Sequence, residues 1–261
     1  MDWKKLSLSS RIEPIIKKSG DIVLSYFQRI TECREKETGG LVTKADLESE
    51  RYLTEELGKI LPGASFIGEE TGNRQGCLDY CWVIDPLDGT TNFVRGIPYF
   101  CISIALTWKD EPLFGAIFNP LTGEYFYAQK GDGAFLNGKK ISVSKIEKLE
   151  QAVPVIAFPY KRDKQFKRLL DLTEKIVPQT YAFRHLGAAA LDQAYVASGR
   201  LDAVLFENLG WWDVAAGMII ISEAGGIVSD YEGNQVDSHY KTFIAAGPNI
   251  YKKLRRQIDT L

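Results

Sequence analysis

Histidine is scarce in this sequence: 261 residues contain only His185 and His239. A multi-histidine metal site and a histidine-based catalytic triad are therefore both unexpected. The net charge is also small, because 32 Lys and Arg residues face 34 Asp and Glu residues, which gives −2. Such a balance creates no general field for nucleic acid or an anionic membrane. No uninterrupted apolar stretch approaches the roughly 18 residues that a membrane span needs.

Cysteine is too sparse for a zinc site. The cysteines are Cys33, Cys77, Cys81 and Cys101, and only Cys77 and Cys81 are closely spaced, with no second pair to complete a ligand set. We therefore expect free thiols, which fit a reducing compartment. The N-terminal segment Met1–Lys5 leads into polar sequence with no apolar run behind it. It does not look like a secretory signal, so we expect a cytoplasmic location.

The first 145 residues are predicted to form two helices followed by a largely antiparallel sheet. Apolar spacing predicts one helix over residues 11–30 and a second that opens at Asp46 and stops at Pro62-Gly63. The apolar residues expected to face inward from the second helix are Leu47, Leu53, Leu57 and Ile60. Asn137-Gly138 predicts a hairpin turn. The predicted strands cover 65–67, 81–84, 101–108, 113–118, 124–128, 134–136 and 141–143.

Beyond residue 150, helical and strand-like segments alternate, which favours α/β layering. The predicted helices cover 161–176, 188–198, 213–224 and 250–259, and the predicted strands cover 153–158, 203–206, 227–228 and 243–246. No linker rich in Ser, Pro or Gly separates the two halves. We therefore predict two tightly packed subdomains, an α+β unit over 1–148 that carries most metal ligands and an α/β unit over 149–261.

Two short basic clusters occur in the sequence, and the first of them is the only support for a nucleic-acid or protein partner. Their members are Lys161, Arg162, Lys164, Lys167 and Arg168 in the first, and Lys252, Lys253, Arg255 and Arg256 in the second. In a chain of balanced charge such clusters are typical of solvated helix faces. A partner-binding patch is the alternative interpretation.

An apolar strand that runs directly into two aspartates is the most informative feature. Residues Cys81–Ile84 are continuously apolar, as in a strand covered on both faces, and Asp85 and Asp88 follow at once. Two carboxylates at the end of a strand repel each other unless a cation or a proton relieves them. All ligands available there are oxygens, which selects a hard cation, Mg²⁺ before Zn²⁺. The alternative is a turn in which the aspartates accept backbone N–H groups.

The residues after the second aspartate suit an anion. Gly89 allows a phosphate to approach the backbone closely, and successive N–H groups at a helix start can point at it. Thr90 and Thr91 add hydroxyl donors. The segment thus combines carboxylates for a metal with amides for a phosphate, which indicates a metal-assisted phosphoryl site.

Two further acidic segments accompany this motif. Glu69 and Glu70 follow a strand-like run, where adjacent glutamates are otherwise typical of surface charge. Asp213 opens a helix behind Trp211-Trp212, where a lone aspartate is otherwise an N-cap. That helix ends at Gly225-Gly226, a glycine C-cap.

Together these segments resemble the inositol monophosphatase family, within the Mg²⁺-dependent, lithium-sensitive phosphatases. Asp85–Phe93 is similar to the first family signature, and Trp212–Gly217 with Glu223–Gly226 is similar to the second. The resemblance runs from about residue 10 to 255. It implies a layered αβαβα sandwich of the inositol monophosphatase and fructose-1,6-bisphosphatase type. It also implies two or three Mg²⁺ ions per site, replaceable by Mn²⁺, and a homodimer.

The resemblance also implies a role for each matching position. The implied metal ligands are the side chains of Glu69, Asp85, Asp88 and Asp213 and the carbonyl of Leu87. The implied catalytic groups are Glu69 and Thr90, which orients the attacking water, with Asp46 behind it. The implied substrate contacts are Gly89, Thr90 and Thr91 for phosphate and Gly187, Ala189, Glu207 and Asp213 for the inositol ring. Lys36 stands one residue closer to Leu41 than the family lysine that lies near a third metal.

The function that the resemblance implies is hydrolysis of inositol monophosphate to inositol and phosphate by a metal-activated water, without a covalent phospho-enzyme. Thr91 favours the inositol branch, because relatives that act on 3′-phosphoadenosine 5′-phosphate or histidinol phosphate more often carry lysine there. Fructose 1,6-bisphosphate or another small sugar or nucleotide phosphate is the alternative substrate. An RNA- or transcription-associated binding protein that retains the fold is the alternative from another class. We expect a small phosphate ester as partner, and neither a membrane nor nucleic acid.

Overall fold

The computed structural model describes residues 3–29, 32–36, 39–159 and 164–260, with seven α-helices and fourteen β-strands in these ranges. The helices are α1 (Leu8–Tyr26), α2 (Lys44–Ile60), α3 (Thr90–Val94), α4 (Lys164–Ile176), α5 (Ala189–Ala197), α6 (Trp211–Glu223) and α7 (Pro248–Ile258). The strands are β1 (Cys33–Glu35), β2 (Leu41–Thr43), β3 (Ser65–Gly68), β4 (Gly72–Arg74), β5 (Tyr80–Asp88), β6 (Cys101–Trp108), β7 (Glu111–Asn119), β8 (Glu124–Gln129), β9 (Gly133–Leu136), β10 (Lys139–Lys140), β11 (Pro154–Ala157), β12 (Ala203–Glu207), β13 (Ile227–Ser229) and β14 (Thr242–Ala246). The start of the helix predicted from residue 161, with Lys161 and Arg162, lies outside the described residues.

Helix α2 begins at Lys44, two residues before the position that the sequence pattern indicates. Thr43 is the N-cap, and its hydroxyl accepts the Ala45 N–H at 3.1 Å. Asp46 lies inside the first turn and accepts the Thr43 N–H at 2.9 Å, which completes a capping box. The predicted inward position of Leu47 is wrong, because this side chain is 51% exposed. Leu47 is six residues before the buried Leu53, a spacing that places the two on different faces of a helix.

The larger sheet has eight strands in the order β10-β9-β8-β7-β6-β5-β3-β4, and only the β3–β5 pair is parallel. Asn137 and Gly138 have φ angles of 48° and 78°, as a two-residue hairpin turn with two left-handed residues requires. This turn pairs Leu136 with Lys139, so the second strand of the hairpin is β10. The predicted strand at 141–143 is therefore wrong, although Ile141 N–H still donates to the Ala134 carbonyl at 2.9 Å.

Three apolar cores alternate with the two sheets and confirm the αβαβα sandwich. Helices α1 and α2 cover one face of the larger sheet, where Ile12 and Leu53 pack with Trp82. Helices α5 and α6 lie between the larger sheet and the four-stranded sheet β11-β12-β14-β13, where Leu191 and Ile220 are buried. Helices α4 and α7 cover the outer face of the smaller sheet. The middle core thus joins residues from both sides of position 148, and the predicted subdomain division there stays a prediction.

Two further observations concern the cysteines and the character of the helices. Cys33, Cys77, Cys81 and Cys101 all carry free thiols. Among the described residues, no helix combines the length and the apolar character that crossing a bilayer requires.

Candidate metal and phosphate site

A bulge at the end of β5 turns Asp85 and Asp88 toward the same side. Asp85 pairs with Ser103 on β6 and Asp88 pairs with Cys101, so three steps along β5 match two along β6. Regular alternation would send two residues at odd spacing to opposite faces of a sheet. The extra residue restores a common face, which is the face covered by α5 and α6. Within the turn, Leu87 N–H donates to Asp85 Oδ1 at 3.0 Å.

Asp213 reaches the same point from the start of α6. It is not the N-cap, because Gly210 holds that position and donates its N–H to Asp213 Oδ2 at 2.6 Å. Ligand atoms of Asp85, Asp88 and Asp213 all lie within 4.8 Å of one another. Opposite oxygen ligands of a single hard cation lie about 4–5 Å apart, so one ion fits among these carboxylates.

The N-terminus of α5 points at Asp88. Ala189 N–H donates to Asp88 Oδ1 at 3.1 Å, and Ala190 N–H donates to Asp88 Oδ2 at 2.7 Å. These are otherwise unpaired amides of the first helical turn, and the helix dipole favours a negative charge there. Ala189, which the resemblance assigns to the substrate ring, therefore uses its backbone N–H to hold a carboxylate.

The cluster concentrates negative charge in a buried space. Burial raises the pKa of Asp85 well above its usual value, and the charges of Glu69, Asp88 and Asp213 raise it further. Burial, together with the charges of Asp88 and Glu69, likewise raises the pKa of Asp213. Burial raises the pKa of Asp88 to about 6, although hydrogen bonds from Ala190 and Cys101 oppose the shift. A divalent cation would relieve this repulsion, so the donor set fits a hard metal ion.

Glu69 borders the cluster and is paired with a lysine. Lys36 Nζ lies 2.6 Å from Glu69 Oε1 and 2.6 Å from Glu70 Oε1. Lys36 follows directly on β1, between the two strands of the β1–β2 hairpin. This hairpin pairs Cys33 with Thr43, and the sequence pattern does not reveal it. Burial raises the pKa of Glu70 to about 7, although the Lys36 bond opposes the shift.

Thr90 and Asp46 form a hydrogen-bonded pair beside the metal ligands. Thr90 Oγ1 lies 3.1 Å from Asp46 Oδ1 and 3.0 Å from the Leu87 carbonyl oxygen. Asp46 Oδ2 also accepts from Thr43 N–H at 2.9 Å and from Thr43 Oγ1 at 2.6 Å. Burial nevertheless raises the pKa of Asp46 to about 6, since it outweighs these bonds. The three residues Asp46, Leu87 and Thr90 thus meet as the sequence predicts.

The turn at Gly89 lies against the loop before α5. Gly89 has φ 92°, and a Cβ there would lie 3.0 Å from the Tyr99 carbonyl oxygen and 3.1 Å from Ala188 Cβ. Asn92 Nδ2 donates to the carbonyl oxygens of Tyr99 at 2.8 Å and Leu186 at 2.7 Å. This amide, which carries no role in the sequence prediction, therefore ties the turn to the segment that precedes Gly187. Thr91 is exposed on α3.

Glu207 lies outside the acidic cluster, and its predicted contact with the inositol ring stays a prediction. Along β12, Val204 and Phe206 face the middle core, so Glu207 faces the outer side with Leu205. There Arg168 Nε on α4 donates to Glu207 Oε1 at 3.0 Å. Strand alternation is the signal that reveals which face of the sheet Glu207 occupies.

The metal-free protein is expected to lose thermal stability as the pH rises. Burial raises the pKa of Asp46 to about 6 and that of Glu70 to about 7, so their protonated forms favour the folded state. Their stabilising contribution is fully present below about pH 4, the range of the unfolded pKa values, and is lost as the pH passes 6 to 7.

Melting curves in EDTA and in excess Mg²⁺ at pH 5 and pH 8 test this dependence. We expect Tm without metal to be lower at pH 8, and Mg²⁺ at about 100 times its Kd to raise Tm by roughly 5–10 °C there. The increase at pH 5 should be smaller, because protons compete with the metal. Equal Mg²⁺ shifts at both pH values would contradict the prediction.

Comparisons with known proteins show similarity over nearly the whole chain. Residues 8–260 match the profile of the inositol monophosphatase family. The chain is 38% identical over 249 residues to Nus factor SuhB of Pseudomonas aeruginosa, covering 92% of each. It is 35% identical over 251 residues to the fructose-1,6-bisphosphatase/inositol-1-monophosphatase of Thermotoga maritima, covering 94% of this chain and 93% of that one. The crystal structure of SuhB from Bartonella henselae superposes with a TM-score of 0.91 at 34% identity and covers 97% of this chain and 98% of its own. The protein therefore belongs to the inositol monophosphatase family.

Proposed function

We propose that this protein is a Mg²⁺-dependent phosphomonoesterase that hydrolyses inositol monophosphate to inositol and phosphate. Its family is a family of phosphatases, which supports a phosphoric monoester hydrolase. The observation that carries the proposal is the convergence of Asp85, Asp88 and Asp213 within 4.8 Å, deep enough to raise their pKa values. An all-oxygen site of this charge suits Mg²⁺ or Mn²⁺.

Besides the three aspartates, Glu69 and the carbonyl of Leu87 are the metal ligands that this chain would supply. The three aspartates would hold one cation together with the Leu87 carbonyl, and Glu69 would help to hold a second. The resemblance implies two or three cations per site. Bound there, the cations would lower the pKa of a water molecule and neutralise charge on the phosphate.

The remaining residues position the reacting groups. The N–H groups of the turn Gly89–Thr91 would bind phosphate oxygens at the start of α3. Thr90 Oγ1, held by Asp46 Oδ1 at 3.1 Å, presents a lone pair to the attacking water. As Thr90 takes a water proton, its own hydroxyl proton passes to Asp46, whose raised pKa suits an acceptor. Gly187, whose carbonyl oxygen lies beside Gly89, and Ala189, at the start of α5, would line the space for the inositol ring.

The choice of substrate among phosphate esters depends on few residues. Of the predicted ring contacts, Glu207 lies on the outer face of β12, whereas Gly187, Ala189 and Asp213 lie close to the turn at Gly89 or to the acidic cluster. The Thermotoga maritima relative is named for both fructose-1,6-bisphosphatase and inositol-1-monophosphatase activities. Fructose 1,6-bisphosphate is therefore the second candidate substrate.

A phosphate-release panel tests the proposed activity directly. Inositol 1-phosphate, fructose 1,6-bisphosphate and 3′-phosphoadenosine 5′-phosphate are compared in EDTA, in Mg²⁺, and in Mg²⁺ with Li⁺. We expect Mg²⁺-dependent, Li⁺-inhibited release, with kcat/KM at least about tenfold higher for inositol 1-phosphate, a difference near 1.4 kcal/mol. Faster release from the bisphosphate would replace the inositol assignment, and no release from any ester would reject the phosphatase.

A second, partner-binding role has support from the names of the relatives, since that of Pseudomonas aeruginosa is called a Nus factor. The exposed side chains of Lys164 and Lys167 on α4 offer a basic face for such a partner. A salt-sensitive pull-down that survives Asp88→Asn would separate this role from catalysis. We further propose a homodimer, as the resemblance implies, and a cytoplasmic location, which the free thiols favour. Sedimentation and cell fractionation test these two proposals.

A further inference from the structure

One face of α2 sends three side chains into the loops of the candidate site. Asp46, Ser49 and Glu50 share this face because they are spaced three and four residues apart. Asp46 contacts Thr90, and Ser49 Oγ donates to the Pro86 carbonyl oxygen at 3.0 Å. Glu50, the third of them, reaches the turn that follows β3 and carries Glu69.

Glu50 is a buried carboxylate that is satisfied entirely by that turn. Its relative exposure is 0%, and its Oε2 accepts the Glu70 N–H at 2.9 Å. Its Oε1 accepts the Thr71 N–H at 2.9 Å and also a hydrogen bond from the Thr71 hydroxyl. Burying a carboxylate is costly unless donors of this kind surround it, so the carboxylate and the turn fix each other.

The glycine before Glu69 shows how closely this carboxylate packs. A Cβ at Gly68 would lie 2.3 Å from Glu50 Oε1, so only glycine lets the end of β3 rest on it. On the other side, Glu69 N–H donates to the Ile84 carbonyl oxygen at 3.2 Å. Both chain neighbours of Glu69 therefore contact Glu50: Gly68 packs against its carboxylate, and Glu70 donates its N–H to it.

We propose that Glu50 is a positioning residue that aims Glu69 at a divalent cation while touching neither metal nor substrate. The proposal rests on the proposed function, which gives Glu69 a metal. Lys36 Nζ is bonded at 2.6 Å to both Glu69 and Glu70, so it competes for the same carboxylate. Glu50 holds the backbone of the turn in the orientation from which Glu69 can leave Lys36 and reach the cluster.

Glu50→Gln tests the proposal, with Glu55→Gln as its matched control. A glutamine side chain has one acceptor oxygen and a donor NH₂ group, so it loses at least one of the two amides that Glu50 binds. Glu55 lies on the same helix but is solvent-facing, with Lys59 3.0 Å away. Calorimetric titration with Mn²⁺ measures metal affinity without catalysis, and the Mg²⁺ dependence of phosphate release measures it during turnover.

For Glu50→Gln we expect the Mn²⁺ Kd to rise about tenfold, in the range seen when a residue that orients a metal ligand is removed. The Mg²⁺ concentration for half-maximal activity should rise by a similar factor, while kcat at saturating Mg²⁺ stays within about twofold. Glu55→Gln should match the wild type. Should Glu50→Gln not fold, Thr71→Val removes only the hydroxyl contact at an exposed position, and a rise of roughly threefold in Kd is expected.

The outcomes separate the two proposals. If the wild type binds Mn²⁺ but Glu50→Gln binds it equally well and merely melts earlier, Glu50 is structural and this inference fails while the proposed function stands. A drop in kcat at saturating Mg²⁺ with unchanged metal affinity would also overturn it. If the wild type binds no Mn²⁺ and releases no phosphate, the proposed function fails, and the inference fails with it.

Discussion

Asp85→Asn is expected to lower phosphatase turnover by about 10³-fold or more, because a bound metal supplies several kcal/mol of transition-state stabilisation. Asp85 is the most central of the three converging aspartates, since Glu69, Asp88 and Asp213 all raise its pKa. An asparagine keeps the oxygen that accepts the Leu87 N–H, so the turn around Pro86 persists. The substitution replaces the other carboxylate oxygen by an NH₂ group, which is a hydrogen-bond donor and does not coordinate a metal ion.

The metal-free variant should be at least as stable as the metal-free wild type at pH 8. Removing one carboxylate from a buried cluster relieves repulsion among the others, which is a cost that metal-free protein bears above pH 6. Asp79→Asn is the control: Asp79 precedes the opposite end of β5, and its side chain is 64% exposed. Turnover of Asp85→Asn near the wild-type level, or a collapse of its metal-free Tm, would refute a metal-binding role.

The convergence of the acidic residues could be predicted because residue type and position both signal it. An apolar strand that ends in aspartates needs a cation, a proton or backbone donors to relieve repulsion. The structure combines backbone donors with a cluster of carboxylates: Asp88 accepts two N–H groups of α5, and its carboxylate still lies within 4.8 Å of those of Asp85 and Asp213. The sequence offers a capped turn and a metal site as alternatives, but the carboxylate of Asp88 is compatible with both.

Features set by strand geometry were harder to predict. The common face of Asp85 and Asp88 depends on a bulge against β6, which requires knowledge of the pairing register. The face that Glu207 occupies was hard to predict for the same reason, because one step along β12 moves a side chain from the middle core to the outer face. Glu50 escaped prediction because its partners are backbone N–H groups 20 and 21 residues away.

Short elements also escaped prediction, because strands of three residues are too short to show a clear alternation of apolar and polar residues. The β1–β2 hairpin has three residues in each strand. Its strand Cys33–Glu35 is exposed, and no alternation of apolar residues predicts it. Only its pairing explains how Lys36 comes to lie beside Glu69. The long helices and strands, in contrast, can be predicted from apolar runs and helical spacing, which are local properties of the sequence. The order of the layers is what the family resemblance implies.

Thr90→Val is expected to lower kcat by about 10²-fold while leaving metal affinity within a few-fold of the wild type. Valine has nearly the shape of threonine but no hydroxyl, so the water loses its acceptor and Asp46 loses one donor. Asp46 keeps both hydrogen bonds from Thr43, at 2.9 and 2.6 Å, which should hold the start of α2 in place. Single-turnover phosphate release and Mn²⁺ titration measure the two quantities separately.

The contrast with Asp85→Asn is what assigns the roles. A loss of kcat with retained metal binding places Thr90 on the path of the water proton, whereas a loss of both would make it a support for the metal ligands. Thr90→Ser restores the hydroxyl and should recover activity to within about fivefold, because the same proton acceptor is present. Since the pKa of Asp46 is about 6, wild-type activity should fall as the pH drops below that value and the carboxylate protonates. Full activity of Thr90→Val, or an undiminished rate at pH 5, would remove the Thr90–Asp46 pair from the mechanism.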